Sequence, residues 1–261
     1  MKIKVLFLIA GIAFIADMAL RTFVPAQAAP AALIPDAATR QQILQSTVQI
    51  ALYEVEDEQG VAAGVRGLGT VVRQDGQTII ITHDHWTHLN ANLHEVEFRN
   101  SQGDLLLTVT AATFRRMIRY RDGGTMVLAA PAVLAVLPAA TPHPAGAAKG
   151  DVVWLARRAP ENGGRTLEVM GASVETVQSG EGLPRLRLRG DGVVVVPGDS
   201  GGGVWLRDRL LGNLWSNGVE IQRSELDRLL GRSRQTETGL IFAALLPYHA
   251  QTGGTAPVSL P

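Results

Sequence analysis

The sequence predicts an all-β protein built as two packed halves. Three observations point there. Short apolar or alternating runs recur along most of the 261 residues; 28 glycines and 13 prolines are scattered between them, as turns joining many short strands require. A stretch rich in alanine and proline, Pro131 to Gly150, then divides the chain into two sets of runs. At 46% hydrophobic content there is ample material for a buried core, which rules out a disordered chain or a minimal disulfide-stapled scaffold.

In the first half the predicted strands are Thr47 to Val55, Gly69 to Arg73, Thr78 to Thr82, His94 to Arg99, Leu105 to Thr110 and Thr125 to Ala130. The second half continues with Val152 to Arg157, Thr166 to Met170, Ser173 to Val177, Leu186 to Arg189, Val193 to Val196, Val204 to Leu206, Leu210 to Trp215 and Leu240 to Leu246. Two short helices interrupt this rhythm. Asp36 to Gln45 opens with Asp36 as an N-cap candidate, and Ser224 to Leu230 has a serine cap, acidic residues in its first turn and Gly231 as a stop. The tract Glu54 to Glu58 reads as a solvated strand end and turn.

Ahead of the strands, Lys2 and Lys4 precede an apolar run from Val5 to Ala16, and Ala26-Gln27-Ala28 offers a small-x-small cleavage site. These are the three parts of a secretory signal, and an apolar run of about 12 residues is short of the roughly 20 that span a bilayer. The expected division is a signal peptide at 1–28, a spacer and short helix at 29–45, two β halves at 46–140 and 141–250, and a tail at 251–261.

Charge and cysteine content remove several function classes. Lys plus Arg and Asp plus Glu both number 24, with no dense basic run, so there is no footprint for nucleic acid or for acidic lipid. No stable membrane insertion is expected once the signal is removed. Cysteine is absent, which excludes disulfides, thiolate catalysis and cysteine-bound zinc. His83 and His85 form a His-x-His pair, but no further cluster stands at ligand spacing, so no metal and no cofactor is expected.

The sharpest chemical signal is Pro197-Gly198-Asp199-Ser200-Gly201-Gly202-Gly203, set between two strand-like runs. A serine nucleophile needs a tight turn that presents its oxygen while backbone N–H groups face a developing oxyanion, and glycine permits that approach. Gly198 and Ser200 are the expected donors. This motif resembles the nucleophile motif of chymotrypsin-like serine proteases. Upstream, Gly67 to Val72, a turn at Asp75-Gly76, and Ile79-Ile80-Ile81-Thr82-His83-Asp84-His85 resemble that family's approach to its catalytic histidine.

The resemblance implies two six-stranded antiparallel barrels with the catalytic groups between them, closure protecting edges an open sheet would expose. It places the base at His85, leaving His83 where the family has a small residue and His88 as a surface residue. The orienting acid has two candidates, each opening an apolar strand: Asp104, 19 positions after His85, and Asp122, 37 positions after it and 78 before Ser200. Asp122 is preferred on spacing, with Gly123-Gly124 as a departure from the family pattern, while Asp104 after Gln102-Gly103 reads as a turn residue. Asp199 is read as bracing the turn.

By the same resemblance the primary pocket rests on Val194, six before the serine, and is walled by the segment of Trp215 and Ser216. A valine floor favours a small or apolar side chain at the cleaved bond. The expected function is an exported serine endopeptidase acting on polypeptides, the alternative being a catalytically inert binding domain on the same scaffold.

Overall fold

A computed structural model describes residues 34–56, 60–84, 92–121, 124–178, 185–190, 195–220 and 236–245. The signal segment at 1–28 and the expected helix at 224–230 lie outside these residues. Asp36 caps helix α1 (Ala37–Ser46), its carboxylate accepting from the Thr39 N–H at 2.9 Å, and Ile43 and Ser46 are the residues this helix buries. No helix among the described residues is long and apolar enough to cross a membrane.

The first half contains β1 (Thr47–Glu56), β2 (Gly60–Gln74), β3 (Gln77–Thr82), β4 (Leu93–Arg99), β5 (Leu105–Thr110), helix α2 (Ala111–Met117), β6 (Ile118–Arg121) and β7 (Met126–Ala129). The strands pair antiparallel in the order β5-β4-β1-β2-β3-β7-β6. The second half contains β8 (Val152–Arg158), β9 (Leu167–Gln178), β10 (Arg185–Arg189), β11 (Gly203–Leu206), β12 (Arg209–Glu220) and β13 (Thr236–Leu245). These close into a barrel in the order β10-β13-β12-β11-β8-β9.

The all-β, two-barrel class follows the sequence reading, and the second half has the expected six strands. The first half is a curled sheet in which β5 and β6 occupy opposite edges. Helix α2 lies in the chain between those two edge strands and separates them. Thr110 caps it, its hydroxyl accepting from the Thr113 N–H at 3.3 Å. The helix turns Phe114 and Met117 into the core, where the Phe114 ring lies 6.3 Å from that of Phe98. A seven-residue helix carries too little periodicity to read locally, which is why neither α2 nor β6 is evident in the sequence.

Other departures have similar local causes. The first part of β2, Gly60 to Arg66, is poor in strand formers, but pairing with β1 extends it, with an irregularity opposite Ala51 and Tyr53. Strand β9 runs unbroken through Gly171, which pairs with Trp154, where two separate strands were expected. Val195 and Val196 do not belong to a strand, because the Val196 N–H is turned to the Asp199 carboxylate instead of a neighbouring ladder.

Burial explains the continuous apolar runs in β2 and β3. Val71 and Ile80 face the core of the first half, while Val72 and Ile81 face a separate layer shared with Ala156, Trp205 and Leu210 of the second. Both faces of these strands are dry, so they do not alternate apolar with polar. Between the halves, helix α3 (Ala132–Ala135) is followed by a crossing segment stitched to both sides. Ala140 N–H donates to the Val71 carbonyl at 2.8 Å, and Leu210 N–H donates to the Thr141 carbonyl at 2.9 Å.

Because Phe114 is fully buried in the core of the first half, Phe114→Ala should lower unfolding free energy by about 3–5 kcal/mol. Urea denaturation followed by circular dichroism measures this; a loss below about 1 kcal/mol would show that α2 is peripheral to the core.

Candidate active site

Ser200 sits half-buried in the turn between Val196 and β11. Two glycines in this turn have left-handed backbones, Gly198 at φ 101° and Gly201 at φ 87°. A Cβ on Gly201 would strike the Leu68 carbonyl and the Thr82 hydroxyl, so only glycine lets the turn lie this close to β2 and β3. Leu68 N–H donates to the Ser200 carbonyl at 2.8 Å, and Gly201 N–H donates to the Leu214 carbonyl at 2.9 Å. The serine is therefore pinned between β2 of one half and β12 of the other. The Gly198 N–H meets no acceptor among the described residues.

A buried charge network sets the shape of this turn. The Asp199 carboxylate is fully buried, one oxygen accepting from the Arg158 backbone N–H and the other from that of Val196, both at 2.8 Å. The Arg158 side chain, 7% exposed, donates through Nε to the Gly198 carbonyl at 3.1 Å. Its terminal nitrogens reach the Gln49 side-chain oxygen at 2.6 Å and the carbonyls of Gly164 and Gly67 at 2.9 and 3.3 Å. Fixing the Gly198 carbonyl on Arg158 directs that residue's peptide plane. Burial pushes the Asp199 carboxyl above the ordinary aspartate value, against the two N–H bonds and the nearby arginines. Burial likewise lowers the Arg158 pKa, opposed by the charge of Asp199.

His85, Asp122 and Val194 lie outside the described residues, as does His88. Their chain neighbours are nevertheless brought together. Thr82, three residues before His85, pairs with Met126 of β7, so the end of β3 and the start of β7 lie at one end of the sheet. Arg121 and Asp84, which directly precede Asp122 and His85, form an ion pair at 3.4 Å. His83 is fully buried. By contrast Asp104 is exposed in the β4–β5 turn, where its carboxylate accepts from the Asn100 side chain at 2.9 Å and its N–H donates to the Asn100 side-chain oxygen at 2.9 Å.

Trp215 and Ser216 belong to β12, where Ser216 pairs with Phe242 and the register shifts after Leu214. Among the described residues no group of three or more His, Asp or Glu side chains is gathered as a metal cluster.

Three residues of the site carry no signal in the sequence. Arg158 meets Asp199 across 41 positions of chain. Thr125, fully buried just before β7, donates its hydroxyl to Asn213 of β12 at 3.2 Å, and Asn213 donates in turn to the Gly124 carbonyl at 3.3 Å. This pair ties the chain just after Asp122 to the strand that runs beside Ser200. Nothing in local composition marks a partner 88 residues away.

Arg158→Met should cost about 3–5 kcal/mol, because it strands four acceptors and removes one of the two arginine charges that favour the Asp199 carboxylate. Adding Asp199→Asn should give a loss well below the sum of the single changes, since the two share one network. The pH dependence has a defined sign. With its folded pKa raised, Asp199 contributes stability that is full below its unfolded value, about 3.9, and is lost as pH rises through the folded value. Denaturant melts from pH 3 to 8 should therefore show a component of falling stability above about pH 4 that is absent in Asp199→Asn.

No protein-family model matches the sequence, and no curated protein matches it. Solved structures do match. The active form of the Rv3671c protease from M. tuberculosis is 20% identical with a TM-score of 0.52, the similarity covering 90% of this chain and 96% of that one. An inactive form of the same protease is 18% identical with a TM-score of 0.50, covering 82% and 93%. A serine-to-alanine mutant in the inactive form is 17% identical with a TM-score of 0.51, covering 82% and 90%. At this identity the likeness establishes architecture, and the chain has the two-barrel fold of the chymotrypsin-like serine proteases.

Proposed function

We propose that this chain is an exported serine endopeptidase in which Ser200 is the nucleophile, His85 its general base and Asp122 the acid that orients the histidine. The observation that carries the reading is the placement of the Ser200 turn. It is held at the junction of the two halves, with Gly201 against Thr82 and His83, two residues from His85. The Asp84–Arg121 ion pair supports Asp122 as the acid, because it draws together the segments that carry His85 and Asp122. Asp104, engaged by Asn100 in its turn, is the weaker candidate.

In this reading His85 takes the hydroxyl proton of Ser200 as the oxygen attacks the peptide carbonyl. The carbonyl oxygen, now negative, is received by the N–H groups of Gly198 and Ser200. Such donors are each worth about 3–4 kcal/mol at the transition state. The imidazolium then protonates the leaving amine, and water activated by the same histidine releases the acyl group from the serine. Asp122 holds the imidazole in the required tautomer and stabilises its charged form. Val194, Trp215 and Ser216 would form the primary pocket and favour a small or apolar residue before the scissile bond. The segment at 1–28 would direct export.

A fluorophosphonate probe should label the folded protein at Ser200, located by peptide mapping, and Ser200→Ala should abolish both labelling and peptide hydrolysis. No label on folded protein would sink the proposal. The two acids separate by kcat/KM: Asp122→Asn should lose about 10⁴-fold, while Asp104→Asn should change less than about threefold. The reverse pattern would transfer the orienting role to Asp104.

A further inference from the structure

Beside the Ser200 turn lies a cleft that the proposed chemistry does not use. One part, about 250 Å³, is bounded by Val196, Pro197, Pro160 and Gly163; it adjoins a larger hollow of about 450 Å³ that runs along β1 to the β4–β5 turn. Arg66, Arg158 and Gly164 line both. The larger hollow adds Arg99 and Arg165, and among the described residues its acidic lining residue is Asp104. Among the described residues four arginines thus line the cleft with one carboxylate, in a chain whose formal charge is zero.

These cations are not equivalent. Arg99 is neutralised by Glu97 at 2.9 Å, and Arg158 is committed to Gly198, Gln49, Gly67 and Gly164. Arg66 and Arg165 are exposed, and neither side chain has an ion pair among the described residues. Asp104 is already engaged by Asn100. Two exposed guanidinium groups without an ion pair among the described residues, set in a concave cleft, form a site for carboxylates.

The cleft also has a direction. Strand β12, which carries the wall of the proposed primary pocket, flanks the turn through Gly201 and Leu214. Arg66 lies on the other flank, on β2, its Cβ 3.8 Å from where a Cβ on Gly198 would stand. A polypeptide whose acyl portion lies along β12 and whose carbonyl sits over Gly198 and Ser200 passes its leaving portion over Arg66 and toward Arg165.

We propose that this arginine-lined cleft binds acidic side chains on the leaving side of the scissile bond, so that the protein acts on polypeptides with a small or apolar residue followed, beyond the cut, by Asp or Glu. This rests on the protease reading for its orientation and on the cleft alone for its charge preference.

The test uses the full mature chain carrying Ser200→Ala and unlabelled decapeptides, with an Ala/Val-rich first half and a second half containing three Glu, three Gln or three Lys. By calorimetry at low salt, the Glu peptide should bind about tenfold tighter than the Gln peptide, an advantage that shrinks at 0.5 M NaCl. Adding Arg66→Glu, with folding checked by circular dichroism, should reverse the order so that the Lys peptide binds tighter than the Glu peptide. Lost folding cannot produce a reversal. If Arg66→Glu does not fold, Arg165→Glu serves the same purpose. Equal affinity for Glu and Gln peptides overturns the proposal.

In the wild type, moving the Glu residues to the acyl side should lower kcat/KM at least to the level of the Gln peptide; a gain there instead overturns the orientation. The two readings fail separately. Fluorophosphonate labelling without charge preference removes the cleft and keeps the protease, whereas arginine-dependent binding without labelling keeps an acidic-peptide site and removes the protease.

Discussion

The arrangement around Ser200 depends on one buried arginine. Arg158 joins β1 through Gln49, β2 through Gly67, the loop before β9 through Gly164 and the serine turn through Gly198, while its own backbone N–H supports Asp199. A guanidinium suits this task because its planar fork reaches several acceptors at once and stays charged when desolvated. Burying it is costly unless its donors are satisfied, so the conformation that satisfies them is favoured over looser alternatives. The turn owes its shape to this network as much as to its own glycines.

That network works only because the two halves meet over a dry layer. Val72 and Ile81 from the first half, and Ala156, Trp205 and Leu210 from the second, pack into one buried apolar cluster. Hydrogen bonds that cross this junction, such as Thr125 to Asn213 and Leu68 to Ser200, are therefore made in a low-dielectric setting where losing a partner is expensive. Rigidity at the serine and adhesion between the halves have the same physical origin.

The surface beside the turn has the opposite character. The chain is neutral as a whole and has no basic run, yet Arg66, Arg99, Arg158 and Arg165 converge on one cleft from β2, β4, β8 and the loop before β9. Each arginine is unremarkable in its own segment. Local potential follows the spatial convergence of charges, which neither a charge count nor a search for basic runs can detect.

Strand rhythm, the α1 cap at Asp36 and the Gly198 to Gly203 turn were legible in the sequence because each rests on residues that are neighbours in the chain. The paired burial of Val71 and Val72, and of Ile80 and Ile81, likewise left a visible trace as unbroken apolar runs. Helix α2 did not, since seven residues hold too few turns to establish a period. Arg158, Thr125 and Asn213 were illegible for a different reason. Most of their partners, Asp199 and Gln49 for Arg158 and each other for Thr125 and Asn213, lie 41 to 109 positions away, and a side-chain hydrogen bond across such a separation imposes no pattern on the residues around it. By itself the sequence determined the strand grammar and a turn capable of presenting a serine; tertiary structure decided what holds that turn and which charges surround it, because those depend on distances that only folding closes.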